Sequence, residues 1–170
     1  PSRPGSCEAG DAVEATFVSL VIPFLNEAAS LEELYERIAG VLDGLGRPFE
    51  VIFVDDGSTD DSVERVERLC ERFPGRVRLV QLRGNFGKSA ALAAGFDRSR
   101  GGIVFTMDAD LQDDPSEIPR FLAKLEEGYD LVSGYKQTRH DPWHKVYPSR
   151  VFNALVRWLT GTPVHDVNCG

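Results

Sequence analysis

The chain has 170 residues, 42% hydrophobic and 27% charged, which suits one domain with a sizeable core and is too short for two. A formal net charge of −8 argues against nucleic acid as a partner, because a phosphate backbone repels such a surface. The three cysteines, Cys7, Cys70 and Cys169, lie far apart without a C-x-x-C pair, so a reducing compartment and no disulfide framework are expected.

Residues 1–14 read as a flexible leader rich in Pro, Gly and acidic residues, and they lack the basic-then-apolar order of a signal peptide. The folded domain is expected over residues 15–170. No stretch reaches the roughly 20 apolar residues that span a bilayer, so a cytoplasmic location is expected. Residues 16–22 are β-branched and apolar and read as a buried strand bounded by Pro23. Ser30 and Glu33 have the spacing of a capping box, followed by Leu31, Leu34, Tyr35, Ile38, Val41, Leu42 and Leu45 at helical spacing. A second strand over 49–54 runs into Asp55-Asp56-Gly57-Ser58-Thr59-Asp60. The next helix carries Val63, Val66, Leu69, Cys70 and Phe73 on one stripe and stops at Pro74-Gly75. On that stripe Cys70 reads as an inert buried thiol.

A third strand spans 77–82, and Gly87 then opens a helix of small residues suited to close approach to a sheet or ligand. The fourth strand, 102–107, ends in Asp108-Ala109-Asp110. Asp114 caps the following helix with Pro115 at its first position; Ile118, Phe121, Leu122 and Leu125 form its stripe and Gly128 ends it. A short strand is expected over 130–133. Strands alternating with helices imply an α/β fold with a mainly parallel central sheet covered on both faces. Ligands of such sheets bind beyond the carboxyl ends of the strands. The polar clusters around Asn26-Glu27, Asp55-Asp56, Asn85-Lys88 and Asp108-Asp110 each follow a strand, so they should meet on one edge.

Asp108 and Asp110 carry the most specific signal. Two carboxylates at the end of an apolar strand repel unless a cation lies between them. Hard oxygen ligands of this kind suit Mg²⁺ or Mn²⁺ shared with substrate phosphates, and Gln112 offers a neutral third oxygen. The bland alternative, that these acids cap the next helix, is weakened because Asp114 already fills that role. Asp56 is suited to accept hydrogen bonds from a ribose hydroxyl or base N–H, whereas Ser58, Thr59 and Asp60 are equally well explained as a turn and helix cap. Lys88 sits at a helix start, where an anion is favoured, with a solvated surface lysine as the alternative. His140, His144 and His165 share no zinc-ligand spacing.

Between Lys136 and Arg157 five basic residues accompany one acid, and 148–160 has the spacing of an amphipathic helix. That helix packs either on the domain's own core or on anionic headgroups; the 136–160 segment is thus a candidate membrane contact. Arg139 and Arg150 are candidate contacts for donor or acceptor phosphate.

Four ordered motifs, V-S-L-V-I-P-F-L-N-E, D-D-G-S-T-D, N-F-G-K-S-A-A-L and D-A-D-L-Q-D-D-P, make residues 16–170 resemble the inverting family 2 glycosyltransferases. More narrowly, the chain is similar to the polyprenyl-phosphate branch typified by dolichyl-phosphate-mannose synthases. The resemblance implies a GT-A, Rossmann-like three-layer fold and a nucleotide-diphosphate sugar, UDP- or GDP-linked, as donor. It implies that Pro23, Glu27 and Asp56 surround the nucleoside, with Lys88 and Arg139 also on the donor. Asp108, Asp110 and Gln112 would hold the metal, and Asp110 and Asp166 would be catalytic, Asp166 matching the acidic position near the acceptor; a turn residue is its local alternative. A hexose would pass with inversion to a dolichyl or undecaprenyl phosphate at the cytoplasmic face of the membrane. The alternatives are a soluble transferase with a sugar-hydroxyl acceptor, or a non-catalytic nucleotide-sugar-binding module. A homo-oligomer is compatible with either. Two positions depart from the family pattern: Leu25 stands where an aromatic often precedes Asn-Glu, and Gly84 stands where an Arg often precedes N-F-G, Arg83 being one step earlier. The resemblance also implies that the domain stops short at Gly170.

Overall fold

The structure, a computed structural model, describes residues 16–134. The elements are β1 (Val18–Phe24), α1 (Leu31–Gly44), β2 (Phe49–Asp55), α2 (Ser62–Arg72), β3 (Val77–Gln81), α3 (Lys88–Phe96), β4 (Ile103–Thr106) and α4 (Ile118–Glu126), the last preceded by a 3-10 turn at Pro115–Glu117. The strands are parallel in the order β3-β2-β1-β4. A parallel strand covered on both faces must be apolar on both. Every residue of β2 is buried accordingly, and in β1 only Pro23 is partly exposed.

Pro23 does not end the first strand. β1 continues through it, with Pro23 opposite Val54 and Phe24 opposite Asp55. The Phe24 carbonyl accepts from Asp56 N–H (2.9 Å) toward β2, whereas the Val21 carbonyl accepts from Met107 N–H (3.3 Å) on the β4 side. By this alternation the N–H that proline lacks would face β4, which stops at Thr106. The ladder with β2 is therefore intact, and the missing donor falls where the pairing with β4 ends.

Two successive right-handed crossovers put α1 and α2 on one face, and the reversal between β3 and β4 puts α3 on the other. On the α3 face Val21, Ile52, Val54 and Ala91 form a buried cluster. The small-residue helix approaches as expected: a Cβ on Gly95 would lie 2.3 Å from Val21 Cγ1. On the opposite face the Phe24 and Phe53 rings meet edge to face at 6.3 Å, and α1 buries Leu31, Leu34, Tyr35, Ile38 and Leu42. Because the chain turns back between β3 and β4, a crevice opens beyond the carboxyl ends of β1 and β4.

At the other end of the sheet Glu50 is fully buried opposite Ser19. Its carboxylate accepts from Ser19 Oγ (2.7 Å), Arg78 (3.1 Å) and Arg100 through the backbone N–H (2.9 Å) and the guanidinium (2.6 and 3.0 Å). Burial alone would raise its pKa, but the hydrogen bonds from Arg100, Ser19 and Arg78 outweigh it and bring the carboxyl down to about 2.

Four further expectations are corrected. The capping box at Ser30 does not form: Ser30 Oγ donates to the Glu27 carbonyl (2.9 Å), and Glu33 pairs with Arg37 on the exposed face. Leu45 lies beyond the end of α1 and is 44% exposed. Residues 130–133 form no strand; no partner backbone pairs with them among the described residues, and Leu131 is exposed. Cys70 is half-buried rather than buried, and desolvation pushes its thiol pKa up, which keeps it unreactive.

The chain divides into two units between Pro119 and Arg120. The first holds the sheet and the crevice. In the second, residues 120–134 comprise the later turns of α4, where Leu122 is buried and Lys124 pairs with Glu127, and a stretch outside helix and strand.

Candidate active site

The loop after β1 is stitched to the loop after β2. Asn26 has φ 58°, a left-handed conformation that asparagine accepts more readily than most residues. Its N–H donates to Ser58 Oγ (3.0 Å) and its side-chain oxygen accepts from Thr59 N–H (2.8 Å). Glu27 N–H donates to Ser62 Oγ (2.9 Å), a hydroxyl buried at the start of α2. Ser30 holds the same turn from the other side. The Glu27 side chain is thereby carried on a fixed backbone at the mouth of the crevice.

The acidic pair at the end of β2 splits into two tasks. Asp55 Oδ1 accepts from Ser58 N–H (2.8 Å), closing the turn that contains Gly57. Asp56 is 6% exposed, and its two oxygens accept from Phe86 N–H (2.7 Å) and Gly87 N–H (2.9 Å). It therefore anchors the turn entering α3, where an anion is favoured by the helix end. Gly57 has φ 88°, and a Cβ there would lie 2.8 Å from the Gly84 carbonyl carbon. Only glycine permits both that conformation and that approach.

Lys88 is the first residue of α3, and its Nζ lies 2.7 Å from Asp108 Oδ1. The loop that carries Asp108 is shaped from within: Asp113 Oδ2 accepts from Asp108 N–H (3.1 Å), and Asp110 Oδ1 accepts from Gln112 N–H (3.0 Å). Between them Leu111 has φ 61°, a left-handed conformation that costs a side chain with a Cβ roughly 1–2 kcal/mol. Strain of this kind gathers at ligand loops.

These four loops enclose a cleft of about 390 Å³ lined by Pro23, Leu25, Glu27, Asp56, Asn85, Gly87, Lys88, Asp108 and Asp110, with Phe24 and Ala109 beneath. Its size fits part of a nucleotide sugar. Acidic side chains outnumber the single lining cation, Lys88, among the described residues. Asp108 and Asp110 both line the cleft and offer the hard carboxylate oxygens that Mg²⁺ or Mn²⁺ takes, one or two at a time, beside water and phosphate oxygens. Among the described residues no three His, Cys, Asp or Glu side chains are grouped to hold a metal by themselves. The ammonium already drawn to Asp108 is further indication that the position attracts positive charge.

Six expected site residues, Pro23, Glu27, Asp56, Lys88, Asp108 and Asp110, are brought together. Gln112 is exposed and does not line the cleft; it contributes its backbone N–H to Asp110. Arg83 is exposed and also absent from the lining. Asp166, Arg139, Arg150 and the 136–160 segment lie outside the described residues. Sequence reasoning missed Ser62 and Asp113. Each is a short polar side chain near a motif, and only the long-range contact reveals what it holds.

The glycosyl transferase family 2 model matches residues 19–164. Among curated relatives, an undecaprenyl-phosphate 4-deoxy-4-formamido-L-arabinose transferase of Pseudomonas paraeruginosa is 45% identical over 152 residues, covering 89% of this chain and 45% of the relative. The chain thus spans less than half the length of that protein. A mannosyltransferase from Pyrobaculum calidifontis in complex with GDP-Man and Mn²⁺ has 31% identity and a TM-score of 0.52, over 58% of this chain and 28% of that one. Glucosyl-3-phosphoglycerate synthase from Mycobacterium tuberculosis, in complex with Mn²⁺, uridine-diphosphate-glucose and phosphoglyceric acid, has 26% identity and a TM-score of 0.66, over 94% and 56% of the two chains.

Proposed function

This chain belongs to glycosyl transferase family 2 and has its GT-A α/β fold, and from that premise we propose that it transfers a sugar from a nucleotide-diphosphate donor to a polyprenyl phosphate with inversion. The observation that carries the reading is the convergence of Glu27, Asp56, Lys88, Asp108 and Asp110 on one cleft at the carboxyl edge of the sheet. The named relative supports the lipid-phosphate acceptor. The nucleotide and Mn²⁺ complexes of the two solved neighbours support the donor class and a divalent ion. That relative's sugar is a modified pentose, so 4-deoxy-4-formamido-L-arabinose joins the expected hexose as a sugar to test.

In this reading Pro23, Glu27 and the far side of Asp56 form the nucleoside end of the cleft, and Lys88 faces the diphosphate. Asp108 and Asp110 hold Mg²⁺ or Mn²⁺, whose charge when bound stabilises the nucleoside diphosphate as it leaves. An acceptor phosphate has a second pKa near 6, so its oxygen is largely ionised at neutral pH. That oxygen attacks the anomeric carbon from the face opposite the leaving diphosphate, and the bond to the diphosphate breaks. No strong base is then required. A sugar hydroxyl would need one, the role for which Asp166 is the candidate. Arg139 and Arg150 would steady the acceptor phosphate, and the 136–160 segment would lie at the cytoplasmic face of the membrane. Among the described residues no helix is long and apolar enough to cross a membrane.

The test uses radiolabelled UDP- and GDP-sugars with Mn²⁺ and undecaprenyl phosphate, followed by extraction into organic solvent. Label is expected in the organic phase. Label in a water-soluble glycoside would favour the sugar-hydroxyl reading. Donor binding without turnover of any acceptor would favour a binding module.

A further inference from the structure

Lys88 is placed against the local field of its own helix. As the first residue of α3 it adds a positive charge at the positive end of the helix, where an acid is the favoured occupant. The first turn of α3 contains no acidic residue to offset it. What offsets it is Asp108, twenty positions along the chain, whose Oδ1 lies 2.7 Å from the ammonium. The other lining carboxylate of the α3 side, Asp56, is turned to the Phe86 and Gly87 N–H groups. Lys88 therefore engages one of the two Asp108 oxygens that would otherwise be open to a divalent ion.

We propose that Lys88 is a placeholder for the metal, exchanging Asp108 for the donor's diphosphate so that ion and nucleotide bind with positive coupling. The inference rests on the proposed donor and metal site and deepens it. An ion arriving alone must break the Lys88–Asp108 pair and leave an ammonium beside a divalent cation. An ion arriving with a nucleoside diphosphate meets no such penalty, because the displaced ammonium finds phosphate oxygens at the helix end. Coupling of this kind is reciprocal: the nucleotide tightens the ion by the factor by which the ion tightens the nucleotide. Both side chains are partly exposed, 44% and 35%, so the effect is moderate rather than absolute.

Mn²⁺ binding is measured on the chain by electron paramagnetic resonance, alone and with saturating UDP or GDP, for wild type, Lys88→Met and Asp108→Asn. Lys88→Met keeps most of the aliphatic stem and removes the charge. It is expected to bind Mn²⁺ alone about 2- to 5-fold more tightly than wild type, the size set by a partly exposed ion pair. The gain in Mn²⁺ affinity on adding nucleotide should shrink in the same variant. Unchanged or weaker Mn²⁺ binding by Lys88→Met without nucleotide overturns the placeholder role, including the case in which neither protein binds the ion alone. Asp108→Asn separates the two levels. If it binds Mn²⁺ with nucleotide as wild type does, the metal site itself is wrong; if it loses the ion while Lys88→Met shows no gain, only the placeholder fails. Circular dichroism of each variant secures the fold.

Discussion

Asp56 and Asp110 are both acids at strand ends, yet they stand in different relations to the fold. Asp56 is buried and each of its oxygens accepts from one backbone donor, so its first task is to hold the entrance of α3. An amide in its place keeps one acceptor and turns an NH₂ toward a second N–H. Asp56→Asn is therefore expected to cost about 1–3 kcal/mol in urea denaturation and to weaken nucleotide binding, measured by calorimetry. Asp110 is exposed, accepts only from Gln112 N–H among the described residues, and contributes little to stability. Asp110→Ala should leave the unfolding midpoint nearly unchanged while turnover falls by at least 100-fold, the scale of losing a group that stabilises developing charge. Unchanged turnover would remove Asp110 from the metal site.

At the scale of elements, the contact between α3 and the sheet decides where Lys88 can reach. Gly95→Ala would gain up to about 1 kcal/mol of helix propensity. Against this, its Cβ would meet Val21 Cγ1 at 2.3 Å, on a buried β-branched side chain with little rotamer freedom. Overpacking of this kind costs about 1–3 kcal/mol, so net destabilisation is expected, with weaker nucleotide binding as α3 backs away. The alternation of elements and the four strand-end clusters were legible because buried strands and amphipathic helices write their periods locally. Pro74-Gly75 and Asp114-Pro115 marked their boundaries for the same reason. Less legible were pairings set by distance in the chain: Ser30 turning back to Glu27, Ser62 bonding Glu27 N–H, and Lys88 on Asp108. A capping motif and a turn motif look alike until the packing chooses the partner. Pro23 was misread as a boundary because the early end of β4, which makes it harmless, is a tertiary fact.

For the molecule as a whole, the sheet is secured at the end away from the cleft. Glu50 joins β2 to β1 through Ser19, to β3 through Arg78 and to the turn before β4 through Arg100. Over residues 49–54 it is the one acid among apolar side chains, a signal the sequence displays without saying which cations answer it. Its stabilising effect is complete above the ordinary value of 4.5 and is lost as pH falls toward about 2. Glu50→Gln should lower stability at pH 7 by roughly 3 kcal/mol. The gap from wild type should narrow between pH 4.5 and 2.5 in pH-dependent denaturation; a constant gap would mean that the charge contributes nothing. The meeting of Gly57 with Gly84 has a consequence for anyone retooling the protein. Main chain rests on main chain there, leaving no gap into which a larger group can be introduced, and those two loops shift together or not at all. Redesign of sugar or base preference belongs at Leu25 and Asn85, whose exposed side chains line the cleft and can be replaced without touching that contact.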